Sequence, residues 1–213
     1  MVKRCVKFCA MCAAIFFAVS IAIVIIYRFA PVRITPLMVI RQTEAFAKGE
    51  RLELKHEWVP IKKISPDVIS AVVESEDAGF YDHGGFSYND MLDAFYRNKR
   101  LGRIVAGGST ISQQTAKNVF CTPARTYMRK LFEAYYTVLI ELFWGKERIM
   151  EVYLNVIELG DGIFGVESAA EEYFSTSALR LSYRQSESLA SIIPHPRGWH
   201  GWLYSTEADV FFE

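Results

Sequence analysis

Cysteine is scarce in this chain beyond its apolar N-terminal segment. Of the four cysteines, Cys5, Cys9 and Cys12 lie in that segment, which leaves Cys121 as the single cysteine of the remaining sequence. No intramolecular disulfide is available there, so the fold must depend on its hydrophobic core. The composition supports such a core, because hydrophobic residues make up 51% and aromatic residues 14% of the 213 residues. A chain of this length predicts one anchored domain.

Several signatures of well-known enzyme classes are missing. The S-x-x-K and K-T-G motifs of penicillin-type acyl-serine enzymes are absent, as are G-x-S-x-G and H-E-x-x-H. None of the four histidines pairs with another at metal-ligand spacing. The sequence GRIVAGGST, residues 102–110, follows the nucleotide-binding pattern G-x4-G-K-[ST] except at its lysine, where Gly108 stands. Because that lysine carries the charge for the phosphates and no strand pattern precedes the loop, a nucleotide site is excluded.

Acidic residues are absent from a long stretch in the middle of the chain. Residues 94–132 contain eight Lys or Arg and no Asp or Glu, whereas residues 141–213 contain twelve acidic and five basic residues. The formal net charge of zero hides this separation and gives no indication of a nucleic-acid partner. A basic run is most often a solvated face. This one surrounds the glycine-rich sequence AGGSTISQQTAKN, residues 106–118, and therefore indicates an anionic ligand.

Charge is also missing from Phe8 to Tyr27, a run of 20 residues preceded by Lys3, Arg4 and Lys7. As a helix this run would span about 30 Å, the thickness of the hydrocarbon core of a bilayer. The basic flank predicts that the N-terminus stays in the cytoplasm. The run ends in bulky residues, whereas a signal peptidase requires small ones, so the sequence predicts an uncleaved anchor.

The remaining pattern is helical. Apolar residues recur at helical spacing, and no alternating strand pattern of any length appears. The predicted helices are 37–48, 67–77, 88–100, 111–120, 126–144, 146–156, 166–174 and 183–193. The sequence therefore predicts a mostly α fold in three parts. These are a cytoplasmic tip and transmembrane anchor at residues 1–30, a membrane-proximal linker or jaw at 31–66 and the main domain at 67–213.

Two glutamates are candidates for chemistry. Glu76 lies at the C-terminal end of a predicted helix beside other carboxylates, where the helix dipole and the like charges favour proton binding. General acid–base catalysis and an ordinary solvated helix end explain this position about equally well. Glu133 follows Arg129 and Lys130 on a largely apolar helix. An ion pair is the better interpretation from chemistry alone, and a second catalytic carboxylate is the alternative.

The candidate residues suggest one kind of substrate when taken together. A donor-rich loop lies between the two glutamates, and Lys117, Arg125, Arg129 and Lys130 lie near it in sequence. Acid–base glutamates suit transfer at a sugar carbon, and clustered cations suit a diphosphate leaving group. A membrane anchor suits a lipid-linked substrate.

Five ordered motifs carry a resemblance to a known family. They are ESEDAGFYDHGGF (74–86), GGSTISQQTAKN (107–118), RKLFE (129–133), KERIMEVYLN (146–155) and GIFGVESAAEEYF (162–174). With these motifs the chain resembles the monofunctional biosynthetic peptidoglycan glycosyltransferases, the transglycosylases of glycosyltransferase family 51. These share their domain with the first half of bifunctional penicillin-binding proteins. The resemblance implies a lysozyme-like, mostly α glycosyltransferase domain with a membrane-associated jaw and a single N-terminal transmembrane helix.

The resemblance also implies a reaction, the polymerisation of lipid II into glycan strands. Glu76 would be the general base that takes the proton from the 4-hydroxyl of the lipid II GlcNAc. That oxygen would attack C1 of the terminal MurNAc of the growing chain, with inversion from α to β, and undecaprenyl diphosphate would leave. Glu133 matches a glutamate that assists the leaving diphosphate, directly or through a divalent cation such as Mg or Mn. Asp77, Phe80 and His83 would have structural roles.

The resemblance implies further binding residues and partners. The donor-site positions of the family fall on Ser109, Gln113, Gln114, Lys117, Arg125 and Arg129. Of these, Lys117 and Arg125 are assigned to the diphosphate. The implied partners are lipid II, the growing glycan strand, the membrane and, among proteins, transpeptidases or components of the division or elongation machinery. The implied location is the bacterial cytoplasmic (inner) membrane, with a single pass, the N-terminus inside and the catalytic domain on the outer, periplasmic face.

Two positions depart from the family pattern, and two other functions stay open. Ser175 stands where the family usually has glycine, and Phe132 stands where a polar residue often precedes the glutamate. A lytic enzyme that cleaves glycan strands would need one catalytic glutamate and no diphosphate site, which the basic run does not favour. An inactive membrane-anchored scaffold of the wall-synthesis complex would need neither Glu76 nor Glu133.

Overall fold

Helices form most of the described chain, which covers residues 2–103, 107–124 and 126–199 of the computed structural model. The helices are α1 Val2–Phe29, α2 Pro36–Ala47, α3 Pro66–Glu76, α4 Tyr88–Leu101, α5 Ile111–Phe120, α6 Tyr127–Phe143, α7 Lys146–Val156, α8 Val166–Phe174, α9 Tyr183–Ile192 and α10 Pro196–Trp199. Short 3-10 helices lie at Ile61–Lys63 and Ala178–Arg180. The predicted mostly α fold is confirmed, and the eight helices predicted after the anchor begin and end within one residue of their predicted positions.

The centre of the domain is α7, of which seven of the eleven residues are buried. A helix that is buried on most sides needs neighbours all round it. The neighbours of α7 are α5, α6 and α8, together with the 3-10 helix Ile61–Lys63. On another side of the domain α3 packs along α9. This arrangement places the C-terminal end of α3 close to α5, as the contact between Glu76 and Gln114 shows.

A small three-stranded sheet was not predicted from the sequence. It consists of β1 Lys55–His56, β2 Glu158–Gly160 and β3 Ile163–Phe164, in the order β1-β3-β2. β1 runs parallel to β3, and β2 runs antiparallel to it. Strands of two or three residues are too short to give an alternating pattern. The sheet joins the segment 31–66 to the main domain.

The N-terminal helix α1 is the one helix in the described part of the chain that is long and apolar enough to cross a membrane. Its most apolar window has a mean hydropathy of 2.9, and only 11% of that window is buried. Its C-terminal half packs against α6, where Ser20 Oγ and Tyr135 Oη lie 2.6 Å apart. Trp144 Nε1 donates a hydrogen bond to the carbonyl oxygen of Val24 at 2.7 Å. These contacts fix the predicted anchor to the domain.

Arg148 of α7 caps the C-terminal end of α1. Its Nε and Nη2 donate to the carbonyl oxygen of Tyr27 at 3.1 and 2.7 Å, and Nη2 also donates to the carbonyl oxygen of Ala30. The last carbonyl groups of a helix lack partners within the helix and carry its negative dipole end, so a guanidinium there is favourable. The guanidinium also stacks over the Trp58 ring at 5.1 Å.

Ser175 ends α8 in an unfavourable backbone conformation. Its φ of 50° and ψ of 39° lie in the left-handed region, and it is the only non-glycine residue with positive φ in the described ranges. Glycine usually occupies this position after a helix because it has no Cβ to clash. The departure from the family pattern noted in the sequence is therefore a strained helix end.

Candidate active site

Glu76 is the last residue of α3 and faces α5. Its Oε2 accepts a hydrogen bond from Gln114 Nε2 at 2.7 Å. The other amide atom, Gln114 Oε1, accepts from the hydroxyl of Tyr153 at 3.2 Å, and Tyr153 is fully buried in α7. The tyrosine therefore fixes which end of the amide points at the carboxylate. Three helices are joined by this series of hydrogen bonds.

Burial raises the pKa of the Glu76 carboxyl above its ordinary value. The hydrogen bond from Gln114 and the positive charge of Lys117 act in the opposite direction, and the neighbouring Asp77 adds a smaller upward effect. Burial is the largest of these influences, so the carboxylate binds a proton more readily than an exposed glutamate. A raised pKa suits a group that has to accept a proton near neutral pH.

Asp77 holds the start of α5 beside Glu76. It is buried, its Oδ2 accepts from the backbone N–H of Ile111 at 2.9 Å, and its Oδ1 lies 2.8 Å from His83 Nε2. Because the Gly85 N–H donates to His83 Nδ1, the ring proton lies on Nε2 and is donated to Asp77. The predicted structural roles of Asp77 and His83 agree with these contacts.

The loop between α3 and α4 is fixed against α5 and α6. Thr110, the N-cap residue of α5, donates its hydroxyl to the carbonyl oxygen of Gly85 at 2.7 Å. Gly85 has φ of +93°, and a Cβ there would lie 2.8 Å from Glu141 Cγ and 2.9 Å from Thr137 Cγ2. Only glycine fits this position. Phe80 of the same loop is fully buried, in agreement with its predicted structural role.

Glu133 has cationic partners on both oxygens. It is 2% exposed, Oε2 accepts from Arg129 Nη1 at 2.7 Å, and Oε1 accepts from Lys130 Nζ. Lys130 Nζ also donates to Ser109 Oγ at 3.2 Å, which connects α6 to the glycine-rich loop. Glu133 thus forms the ion pairs that its sequence neighbours predict.

Lys117 of α5 is influenced by the negative charges of both glutamates. Its ammonium makes no hydrogen bond or ion pair with any residue that the structure describes. Burial lowers its pKa, Glu133 acts in the opposite direction, Arg129 and Lys130 lower it further, and Glu76 has a smaller raising effect. A half-buried ammonium in this situation is stabilised when a negative group pairs with it.

Lys117 and Arg129 line one cavity of about 270 Å³. The remaining lining residues are Leu37, Arg41, Asn118, Cys121 and Pro123. Arg129 Nε is the single buried side-chain polar atom without a hydrogen-bond partner within the described ranges. Two cationic side chains with unused N–H groups suit an anion that presents several oxygens.

Most of the predicted site residues lie in this region. Ser109, Gln114, Lys117 and Arg129 contact or act electrostatically on Glu76, Glu133 or their partners. Gln113 is different, because its Oε1 accepts from the Thr110 N–H at 3.1 Å in the capping box of α5. Arg125 lies outside the described residues.

Two residues with direct roles in this geometry were not predicted as site residues. Lys130 was grouped with the nearby cations but not assigned to the site, although residues three apart on a helix face each other and it precedes Glu133 by three. No nearby sequence pattern indicates that Tyr153 contributes to the site. The direction of its hydroxyl depends on how α7 packs beneath α5, which the sequence KERIMEVYLN does not contain.

Comparisons with known proteins identify the family of the chain. The family described as Transglycosylase matches residues 43–209. A protein of Caulobacter vibrioides named biosynthetic peptidoglycan transglycosylase is 53% identical over 176 residues, which cover 83% of this chain and 74% of that protein. Proteins of the same name from Bacteroides thetaiotaomicron and Bdellovibrio bacteriovorus are 48% and 49% identical. The alignments cover 92% and 86% of this chain and 78% and 73% of those proteins. The chain belongs to the transglycosylase family, whose lysozyme-like fold class was predicted from its motifs.

Proposed function

We propose that this protein is a membrane-anchored peptidoglycan glycosyltransferase that extends glycan strands from lipid II. The site combines one carboxylate suited to accept a proton with a separate group of cations suited to hold a diphosphate. The relatives named biosynthetic peptidoglycan transglycosylase support the same class of reaction.

The observation that carries the proposal is the state of Lys117. Its side chain is half-buried, its ammonium makes no hydrogen bond or ion pair within the described ranges, and it lies in the field of both Glu76 and Glu133. A negatively charged ligand would complete these surroundings, because an ammonium partly withdrawn from water is stabilised by a paired anion. The diphosphate of a polyprenyl-linked glycan is an anion of the required kind, and the neighbouring Arg129 guanidinium offers an unused N–H to it.

In the proposed reaction Glu76 acts as general base. Its carboxylate takes the proton of the GlcNAc 4-hydroxyl of lipid II as that oxygen forms a bond to C1 of the terminal MurNAc. The bond between C1 and the diphosphate oxygen breaks with inversion, and the electron pair leaves with the polyprenyl diphosphate. Lys117 and Arg129 stabilise the negative charge that develops on the leaving oxygen. Gln114 holds the carboxylate toward the reacting hydroxyl.

Glu133 has a supporting role in this proposal. Because its two oxygens accept from Arg129 and Lys130, it keeps two cations in place without placing its own charge on the diphosphate. These contacts do not fit a divalent-ion site made of protein ligands. No group of three metal-ligating side chains occurs in the described ranges. A Mg or Mn ion, if it assists, would be held mainly by the oxygens of the diphosphate itself.

The proposed location follows from the anchor. The apolar helix α1 fits a membrane anchor. We place it as a single pass through the bacterial cytoplasmic membrane, with the basic N-terminus inside and the catalytic domain on the outer face. Transpeptidases or proteins of the division or elongation machinery are the proposed protein partners, as the family resemblance implies.

The test is polymerisation of labelled lipid II by the purified protein in detergent, beside the Glu76→Gln variant, with strand length read on a gel. Long strands from the wild type and none from the variant are expected. Equal activity of the two proteins would contradict the assignment of the base. A folded wild type that makes no strands would contradict the proposed reaction and favour a scaffold. Release of anhydro sugars from existing strands would favour a lytic enzyme.

A further inference from the structure

Glu141, near the end of α6, is a mostly buried carboxylate that the proposed reaction does not use. Its side chain is 14% exposed. Its Oε1 accepts hydrogen bonds from the hydroxyl of Ser112 on α5 and from Lys146 Nζ on α7, the latter at 2.7 Å. Ser112 is fully buried in the first turn of α5, and Lys146 is the first residue of α7. One carboxylate oxygen therefore joins α6 to the beginnings of two other helices.

Glu141 also holds the loop between α3 and α4, residues 77–87. A Cβ on Gly85 of this loop would lie 2.8 Å from Glu141 Cγ, so the loop backbone packs directly on the glutamate side chain. The ammonium of Lys146 lies 4.5 Å from the centre of the Phe80 ring, which is buried in the same loop. A cation over an aromatic face is attracted by the electrons of the ring. Glu141 thus holds the loop at two points, once directly and once through Lys146.

The same loop and the first turn of α5 meet a second time beside Glu76. Asp77 Oδ2 accepts from the backbone N–H of Ile111 at 2.9 Å, and Asp77 Oδ1 accepts from His83 Nε2 at 2.8 Å. The Gly85 N–H donates to His83 Nδ1 at 3.1 Å. Together with the contacts of Glu141, these bonds close a circle that we call the Glu141 network. Its members are Glu141, Ser112, Ile111, Asp77, His83 and Gly85.

The Glu141 network determines how the end of α3 faces α5. Asp77 directly follows Glu76, and Gln114, which donates to the Glu76 carboxylate, lies two residues after Ser112. When a closed network is opened at one contact, the first turn of α5 can tilt against α3. A tilt of that kind changes the position of Gln114 relative to Glu76. Small displacements of reacting groups have large effects on rate, because catalysis depends on their alignment.

We propose that Glu141 is a positioning residue for the proton transfer at Glu76, which it aligns by holding the α3–α4 loop and the first turn of α5 in one arrangement. The proposal rests on the proposed function, in which Glu76 is the base. Among the described residues, Glu141 lines neither the cavity at Lys117 nor the pocket at Glu76. It therefore acts through its neighbours and not on the substrate.

Ser112→Ala in the full-length protein is the first test, because it opens the network without removing a charge. The kcat for lipid II polymerisation should fall about tenfold with KM unchanged, since alignment is loosened and the cations are kept. The acid limb of the pH–rate profile should move to higher pH, because a looser Gln114 contact lowers the pKa of Glu76 less. The charged or titratable groups around Glu76 stay in place. They are Asp77, Lys117 and Tyr153, together with Glu74, Asp93 and Arg97 in its pocket.

Two variants of Glu141 separate positioning from general stability. Glu141→Ala should lower kcat about 10²-fold, because it removes the acceptor of Ser112 and Lys146 and the side chain that packs on Gly85. Glu141→Gln should restore most of kcat, since its side-chain oxygen can accept the same hydrogen bonds. Glu167→Gln is the matched control, because Glu167 is buried in α8 and accepts from the Ala178 N–H at 2.7 Å. It should keep the kcat and pH profile of the wild type.

Amide hydrogen exchange tests the network without catalysis. Exchange of the Ile111 and Gly85 N–H groups should be faster in Ser112→Ala and Glu141→Ala and unchanged in Glu167→Gln. Unchanged exchange in the first two would overturn the network. With an active wild type, an unchanged kcat and pH profile in Ser112→Ala would overturn the positioning role, as would an equal loss of kcat in Glu167→Gln. A wild type that makes no strands, with faster exchange in the variants, would contradict the proposed function and leave the network standing.

Discussion

Glu76 and Glu133 both act electrostatically on Lys117, yet their own surroundings differ. Glu76 accepts a hydrogen bond from a neutral amide, and burial raises its pKa. Glu133 is more deeply buried and is paired with a guanidinium and an ammonium. The first arrangement leaves a carboxylate able to take up a proton, whereas in the second the carboxylate holds two cations in place. The same side chain thus serves two kinds of chemistry, and its neighbours decide which.

The largest expected effect on activity comes from Lys117, the lysine that is influenced by both glutamates. Lys117→Met should lower the rate of lipid II polymerisation about 10²–10³-fold, because one preorganised charge on the leaving group is lost. The same change should raise the melting temperature. Since burial lowers the pKa of Lys117, its charged form is disfavoured in the fold at neutral pH, and removing the charge removes that cost.

Lys99→Met is the matched control for this prediction, because Lys99 is an exposed lysine of the same basic stretch. It should change neither rate nor stability. A Lys117→Met protein that is both active and less stable would show that the ammonium is a structural group.

The next effect distinguishes the two glutamates by stability. Glu133→Gln should lower the free energy of unfolding by about 3 kcal/mol, because it leaves two cations without their buried partner. Glu76→Gln should leave the free energy of unfolding unchanged or raised at neutral pH, since a neutral amide replaces a carboxylate whose ionised form burial disfavours. Urea denaturation of both variants measures the difference. An equal loss of unfolding free energy in Glu133→Gln and Glu76→Gln would contradict the different roles assigned to the two glutamates.

A smaller effect is expected at the hydroxyl that orients Gln114. Tyr153→Phe removes the donor to Gln114 Oε1, so the amide is less firmly held toward Glu76. Because the Gln114 hydrogen bond lowers the pKa of Glu76, weakening it should move the acid limb of the pH–rate profile to higher pH. The loss of stability should be about 1 kcal/mol, as for one buried hydrogen bond. An unshifted profile with the same loss of stability would make Tyr153 a packing residue only.

The smallest effect lies far from both glutamates. Ser175→Gly should raise the free energy of unfolding by about 0.5–1 kcal/mol, because glycine adopts the left-handed backbone at the end of α8 without strain. The polymerisation rate should stay that of the wild type. Thermal denaturation beside Ser177→Gly, a change at a residue with extended φ, gives the control, which should not be stabilised.

The sequence predicts the helices of this protein well and the site only in part. Helical periodicity and caps are local, so an element such as α5, with its Thr110 cap, can be found at its correct ends. Contacts between helices are not local. The hydrogen bond from Tyr153 to Gln114 and the electrostatic effect of both glutamates on Lys117 depend on the packing of the helices, which no short stretch of sequence contains.

The small sheet and the role of Gln113 illustrate the same limit. The strands are too short for periodicity to show them, and they pair residues about a hundred positions apart, such as Lys55 and Ile163. Gln113 was predicted from a motif position to bind substrate. In the fold its side-chain oxygen Oε1 accepts a hydrogen bond from the Thr110 N–H in the capping box of α5. A motif position alone therefore does not state which contact a side chain makes.

The pH dependence of kcat/KM for lipid II polymerisation, compared between the wild type and Gln114→Leu, tests the central claim most directly. Gln114 donates to Glu76 and lowers its pKa, so its removal should raise that pKa further. The account predicts an acid limb above the ordinary range of a glutamate in the wild type and a shift to still higher pH in the variant. An acid limb at the same pH in both proteins would contradict the assignment of Glu76 as the proton acceptor.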